Sequence, residues 1–212
     1  MVRVVRVYAG RSAVERRDDR RRRLVEAALS RFGAGSGYAG TTIEAICAAG
    51  GVTARHFYAE FGSREDLLLA VLSRVVDGAY DAVVDALSVA GDSPVERARA
   101  GLGAFVHFML DDPRRARVLC LEVVGVSPRV EAARRAALRR FAALLTVEAV
   151  RFGLAPGGEQ VALGALALVA GANELIVEAL VGSPPPAVDE VVDELVRLFA
   201  AVGTAAVAPA TW

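Results

Sequence analysis

The sequence predicts an all-α fold of about nine helices. Two observations carry this. Apolar residues recur at three- and four-residue steps through most of the 212 residues, the period of helices with one buried face. Proline is absent before Pro94 and afterwards stands where helices would begin or end. The predicted helices are 16–33, 42–49, 53–59, 63–89, 94–111, 113–125, 128–153, 158–182 and 187–206. Ser93-Pro94, Asp112-Pro113 and Ser127-Pro128 each put a capping residue before Pro at the first helical position. There the missing N–H is not needed and the ring presets φ. Glu96 would complete a capping box with Ser93. Pro156-Gly157-Gly158 and Pro184-Pro185-Pro186 are breaks. The Val-rich run at 188–196 could be taken for a strand. However, Val188, Val191, Val192, Leu195, Leu198 and Phe199 keep helical spacing, with acids between them.

All 25 basic residues are Arg, and they balance 25 acids. The distribution is uneven: residues 1–64 hold twelve Arg against six acids, +6, and residues 65–212 carry −6. A basic N-terminal part on an acidic remainder suggests that one end alone meets a polyanion. Cys47 and Cys120 give no disulfide framework, which fits a reducing, cytoplasmic compartment. The opening MVRVVRV lacks the apolar core of a signal peptide. Residues 161–181 are long and apolar enough to span a membrane, but they contain Asn173, Glu174 and Glu178. Carboxylates at mid-membrane cost a few kcal/mol, so the expectation is a helix buried on most sides inside a protein, and no membrane.

The informative segment is 41–66. Thr41 reads as a helix cap with Glu44 reaching back to it, and Ile43, Ile46 and Cys47 give that helix its apolar face. Gly51 supplies the positive φ of a tight turn. Val52 buries beneath it, and Thr53 caps a second short helix. Two helices joined by about three residues with Gly between them form a helix-turn-helix. Thr53, Ala54, Arg55 and His56 lie at the N-terminal end of the second helix, the end that meets base edges in a major groove. Phe57 and Phe61 anchor a helix too short to stand alone. Tyr58, on another face, is suited to a phosphate. Ser63 and Asp66 form a further capping box. Arg64 in the first turn opposes the helix dipole unless a phosphate lies near it.

The string TTIEAICAAGGVTARHFYAEFGSREDLLLAV resembles the DNA-binding segment of the tetracycline-repressor (TetR) family of bacterial transcriptional regulators. The matching features are Thr42, the Ile43/Ile46 spacing, Gly51-Val52, Phe57-Tyr58, Phe61, and Ser63-Arg64-Glu65 leading into Leu-Leu. The preceding Phe32 and Gly37-Tyr38 fit as well. Gly50 stands where another small residue is usual, 33–40 is one residue longer than the family pattern, and Arg55-His56 departs from the common recognition residues. The resemblance implies an arm and start of the first helix at 1–19, a DNA-binding domain at 20–66 with its motif at about 42–61, and a ligand-binding and dimerisation domain at 67–212. It further implies a repressor that binds a palindromic operator in double-stranded DNA as a homodimer, through about 158–206, and is released by a small-molecule effector. Expected DNA contacts are Thr53, Ala54, Arg55 and His56 to bases, and Thr42, Tyr58 and Arg64 to phosphates. Arg20 and Arg21 belong to a basic stretch, Arg16 to Arg23, that could track phosphate or simply be solvated.

Phe105, Phe108, Met109, Phe141 and Leu145 are apolar residues of the central helices, where the resemblance places a ligand pocket. Asn173 and Glu174 are its candidate polar groups, with Glu178 one turn on; pairing of these acids with Arg at a subunit interface is the equal alternative. His107 and Cys120 lack metal-ligand spacing, and His107 reads as a core histidine. With no nucleophile motif, paired catalytic acids or dinucleotide fingerprint, neither an enzyme, a cofactor nor a metal site is expected. The rival reading is a helical small-molecule binding or enzymatic protein whose helix-turn-helix is only structural.

Overall fold

The computed structural model describes residues 12–153 and 159–207, all helix, turn and connection with no strand among them. Ten α-helices run along this part of the chain. The first, α1 (Ala13–Phe32), starts three residues before the predicted point. Its cause is a capping box: Ser12 Oγ accepts from the Glu15 N–H at 3.1 Å, and the Ser12 N–H donates to the Glu15 carboxylate at 2.5 Å. The Arg-rich stretch from Arg16 to Arg23 is therefore helical, while residues 1–11 of the expected arm lie outside the described residues.

A one-turn helix, α2 (Gly37–Gly40), fills the segment that sequence alone left as a connection. The Thr41 hydroxyl, buried, donates to the Gly37 carbonyl at 2.6 Å. This overturns the expected cap. With Thr41 committed to α2, Thr42 caps α3 (Ile43–Gly50) by accepting from the Ala45 N–H at 3.2 Å. Gly51 follows with φ 58°, and the Val52 N–H bonds back to the Cys47 carbonyl at 3.0 Å. Thr53 caps α4 (Ala54–Glu60), and Ser63 caps α5 (Arg64–Val89) by accepting from the Asp66 N–H at 3.0 Å.

The rest are α6 (Pro94–Leu110), α7 (Pro113–Arg117), α8 (Pro128–Arg151), α9 (Glu159–Val181) and α10 (Val188–Val207). The helix predicted over 113–125 stops early because the chain widens into a π-helical turn, Val118–Glu122. Asp112 and Ser127 cap as expected, whereas Ser93 makes no side-chain cap bond, so Pro94 alone opens α6.

The N-terminal core packs α1 against α3, α4 and the start of α5 through Leu24, Ala28, Phe32, Ile46, Phe57, Leu67 and Leu68. Further along, α5 lies on α6, which α10 covers through Val191, Val192, Leu195 and Val196. An α8–α9 hairpin closes the larger domain. The apolar stripe of α10 thus packs on the interior. The helix read as a possible span is long and apolar enough to cross a membrane, but only 28% of its most apolar window is buried. This corrects the expectation of a helix enclosed on most sides: Ala165, Leu168, Val169, Ala172 and Ile176 face inward, and Leu163, Ala167, Ala170, Glu174 and Val181 outward. His107 also departs from its predicted place, being exposed with its ring 3.7 Å from the Asp111 carboxylate.

Two charged groups lie inside the larger domain. Arg97, 6% exposed, donates to Glu148 through Nε at 2.6 Å and Nη2 at 3.0 Å, and through Nη1 to the Leu87 carbonyl at 2.9 Å. One guanidinium so ties α5, α6 and α8. The Arg97 hydrogen bond holds the Glu148 carboxyl below its usual range against the cost of burial. A lowered carboxylate pKa adds stability above the unfolded value and loses it as pH falls through the folded one.

Arg97→Met should therefore lower stability by roughly 2 kcal/mol in denaturant unfolding, because Glu148 is left unpaired, and Arg97→Met/Glu148→Leu should recover most of it. Equal losses in the two variants would show the pair to be energetically idle. At the domain junction, a Cβ on Gly33 would sit 2.5 Å from the Arg114 Cβ, while one on Gly35 would meet nothing within 4 Å. Gly33→Ala should cost about 1–3 kcal/mol and Gly35→Ala less than about 0.5 kcal/mol, compared by thermal melts.

Candidate nucleic-acid interface and effector cavity

The motif is a rigid wedge with one greasy side. Phe57 is fully buried and Phe61 nearly so, their rings 5.9 Å apart, and Ile46, Cys47 and Val52 fill the space beneath the turn. A seven-residue helix cannot persist alone, so this anchoring holds α4 in place. On its other side Thr53, Ala54, Arg55 and His56 are exposed together at the N-terminal end, followed by Tyr58 at 59% exposure. The His56 Nδ1 lies 3.0 Å from the Thr53 hydroxyl, which also accepts the His56 N–H. The Tyr58 ring packs edge-on against Phe57 at 5.2 Å, leaving its hydroxyl outward.

The other predicted contact residues have internal partners. Glu60, its side chain 2% exposed, closes α4 and draws in the arginines of α1: Arg17 at 2.9 Å and Arg20 at 3.6 Å. Arg21 donates to the Glu60 carbonyl at 3.4 Å and covers the Phe61 ring at 4.4 Å. Arg23 donates to the carbonyls of Gly50 and Gly51, both at 3.3 Å, and Arg22 pairs with Asp19. Much of the basic stretch thus fastens α1 to the motif. Arg64, expected at a phosphate, stacks over the Tyr38 ring at 4.4 Å and donates to the Thr41 carbonyl. That carbonyl satisfies a cation which would otherwise oppose the dipole of α5. Thr42 is exposed, but its hydroxyl caps α3.

Between α5, α6, α8, α9 and α10 lies a cavity of about 60 Å³, partly open to solvent. Phe105, Phe141 and Leu145 line it, as expected of pocket residues. The other expected pocket residues lie elsewhere. Phe108, further along α6 toward α7, stacks under Arg115 at 4.2 Å, Met109 is fully buried core, Asn173 sits beside Cys120, and Glu174 is exposed on the outer face of α9. The ionic groups in the cavity wall are instead Arg97 and Glu148, joined to each other. Sequence reasoning passed over both, although a signal existed. Arg97 falls on the stripe of Gly101 and Phe105, and Glu148 on that of Phe141, Leu145 and Phe152, where a solvated charge would be out of place. Burial pushes the Cys120 thiol up to about 12, with the charge of Glu174 adding to the effect, which disfavours the thiolate.

Residues 24–71 match the family of bacterial regulatory proteins, tetR family. A curated relative, the HTH-type transcriptional activator FasR of Mycolicibacterium smegmatis, is 34% identical over 116 residues, which cover 55% of this chain and 52% of the relative. The match thus spans about half of that relative's length. Among solved structures, a regulator assigned to the TetR family from Syntrophomonas wolfei superposes with a TM-score of 0.75 at 16% identity, covering 88% of this chain and 96% of that one. FadR of Bacillus subtilis, solved with stearoyl-CoA, does so with a TM-score of 0.72 at 16% identity, covering 84% and 96%. These likenesses establish the fold of the whole described chain, while the family match covers the segment that forms the wedge. Residues 24–71, which include the capped, glycine-turned pair of helices, are thus similar to the tetR family of bacterial regulatory proteins, and the fold around them is that of these solved structures.

Proposed function

We propose that this chain is a DNA-binding transcriptional repressor that docks on a palindromic operator as a homodimer and leaves it when a small molecule with a long apolar part occupies the cavity. The observation that carries this is the exposed tip of α4: four side chains at a helix N-terminus, free of the core and held on a buried aromatic pair. Arg55 and His56 are the base readers, as the two long polar side chains of that exposed tip, and Tyr58 and Thr42 meet phosphate. Arg20, Arg21 and Arg64 set the angle of the motif, a role their internal partners support.

One short helix reads too few base pairs for useful specificity, so a two-fold partner is needed. The outer faces of α8 and α9 supply the surface: Val147, Val150, Leu163 and Val181 are each more than half exposed, a cost that a second copy would remove. Arg135 and Arg139 on α8 and Glu174 and Glu178 on α9 are exposed beside these patches, giving both signs of charge to a self-complementary contact. The effector class follows from the cavity, whose wall is almost wholly apolar and whose ion pair has spent its donors on itself. The likeness to a fold solved with stearoyl-CoA supports an acyl chain as occupant.

Selection of bound DNA from a random pool tests the reading. A recovered palindrome is expected, and failure to retain any duplex would favour a small-molecule binding protein with an ornamental wedge. On the selected site Arg55→Ala should cost about 1–3 kcal/mol and relax preference at one position, whereas Tyr58→Phe should weaken all sequences alike. Leu163→Asp should leave helicity intact by circular dichroism but give monomers in analytical ultracentrifugation, with operator affinity down by about tenfold or more. A dimer that survives this change would remove α9 from the interface.

A further inference from the structure

The π-helical turn Val118–Glu122 touches both domains. On one side Glu122, its side chain 15% exposed, accepts the Tyr38 N–H on Oε2 at 2.7 Å. Gly37, at φ +61°, brings its backbone so close that a Cβ there would stand 2.4 Å from the same oxygen. Tyr38 in turn packs edge-on against Phe32 at 5.2 Å and carries Arg64, which holds the Thr41 carbonyl just before the cap of α3. On the other side the turn packs against α9, with Cys120 Sγ 3.9 Å from Asn173 Oδ1. Asn173 follows Ala172, which lines the cavity with Leu168 and Val169.

We propose that Glu122 is the positioning residue through which the cavity sets the angle of the helix-turn-helix. The inference rests on the reading that an effector occupies the cavity, and adds the route by which occupancy is felt. A π turn holds one residue more than an α turn, and reverting to α would rotate the following side chains by about 100°. Such an element has two discrete arrangements, which is what a coupling device requires. Bulk added against Leu168, Val169 and Ala172 displaces α9 at Asn173, and the π turn packed against α9 shifts with it. Glu122 then withdraws from Tyr38, and α2, Arg64 and the start of α3 lose a common support. The spent polar groups of the cavity fit this scheme, because an apolar occupant can act only by displacing helices.

The test uses the full chain and a built-in occupant, so it does not depend on the effector's identity. Ala172→Phe, with Leu168→Trp as a second variant should the first misfold, adds an aromatic ring to the cavity from α9. On the duplex selected by the wild-type protein, this filling should weaken binding by about tenfold. It should also speed amide exchange at Tyr38, measured by NMR without DNA. In a Glu122→Leu background the same filling should change affinity by less than about twofold. Glu122→Gln keeps an oxygen for the Tyr38 N–H and should restore the tenfold response. An equal penalty in the wild-type and Glu122→Leu backgrounds, or a Tyr38 amide indifferent to the filling, overturns the proposal. Should no duplex be selected, the regulatory reading fails by itself, and the Tyr38 exchange still decides the role of Glu122.

Discussion

The 26 residues of α5 belong to two cores at once, and the placement of both functional regions follows from that shared helix. Its first turns bury Leu67, Leu68, Val71 and Leu72 under the helix-turn-helix, and its later turns bury Val75, Val76, Ala79 and Val83 in the larger domain. At 1.5 Å per residue such a helix spans about 39 Å, so one rigid rod carries the recognition end at Ser63 and the cavity wall at Leu87. Every other junction contact acts on the same two bodies. The Arg74 ion pair with Glu26 at 2.8 Å, the Arg114 bond to the Ser30 hydroxyl at 2.6 Å and the Glu122 bond to the Tyr38 N–H all set the tilt of the small domain against the large one. Close packing turns these from loose tethers into a defined seat, since neither Gly33 nor Gly37 leaves room for a Cβ.

Charge is used inwardly more than the composition suggests. A +6 N-terminal part looks like a broad polyanion footprint, yet Arg17 and Arg20 converge on the buried side chain of Glu60, and Arg21 on its carbonyl and the Phe61 ring. Arginine suits this because a planar guanidinium can pair, donate and stack together. The tip of α4 is held still by these contacts, and the four side chains from Thr53 to His56 face outward. The same economy operates in the larger domain, where Arg97 and Glu148 satisfy each other inside apolar walls. A buried pair of this kind contributes little net stability over an apolar replacement but penalises loss of either partner, which keeps the three helices in one register around the cavity.

The sequence by itself determined the helices and the motif. Local chemistry marks both: Gly51 with its left-handed φ, Thr53 as a cap, Pro after a capping residue, and Phe57 and Phe61 on one face. A capping box at Ser12 and Glu15 was equally legible and extends α1 past the predicted start. Charges on apolar stripes at Arg97 and Glu148 were visible as anomalies, though not their pairing across 51 residues. Tertiary structure alone decided the rest. Thr41 gave up its cap for the Gly37 carbonyl, Arg64, expected at a phosphate, stacks on the Tyr38 ring, and Asn173 and Glu174 fell outside the cavity. The physical reason is the same in each case. Caps, turns and amphipathic periods depend on neighbours within a few residues, whereas the partner of a long side chain, and the side of a wholly apolar helix that turns inward, depend on how distant helices pack.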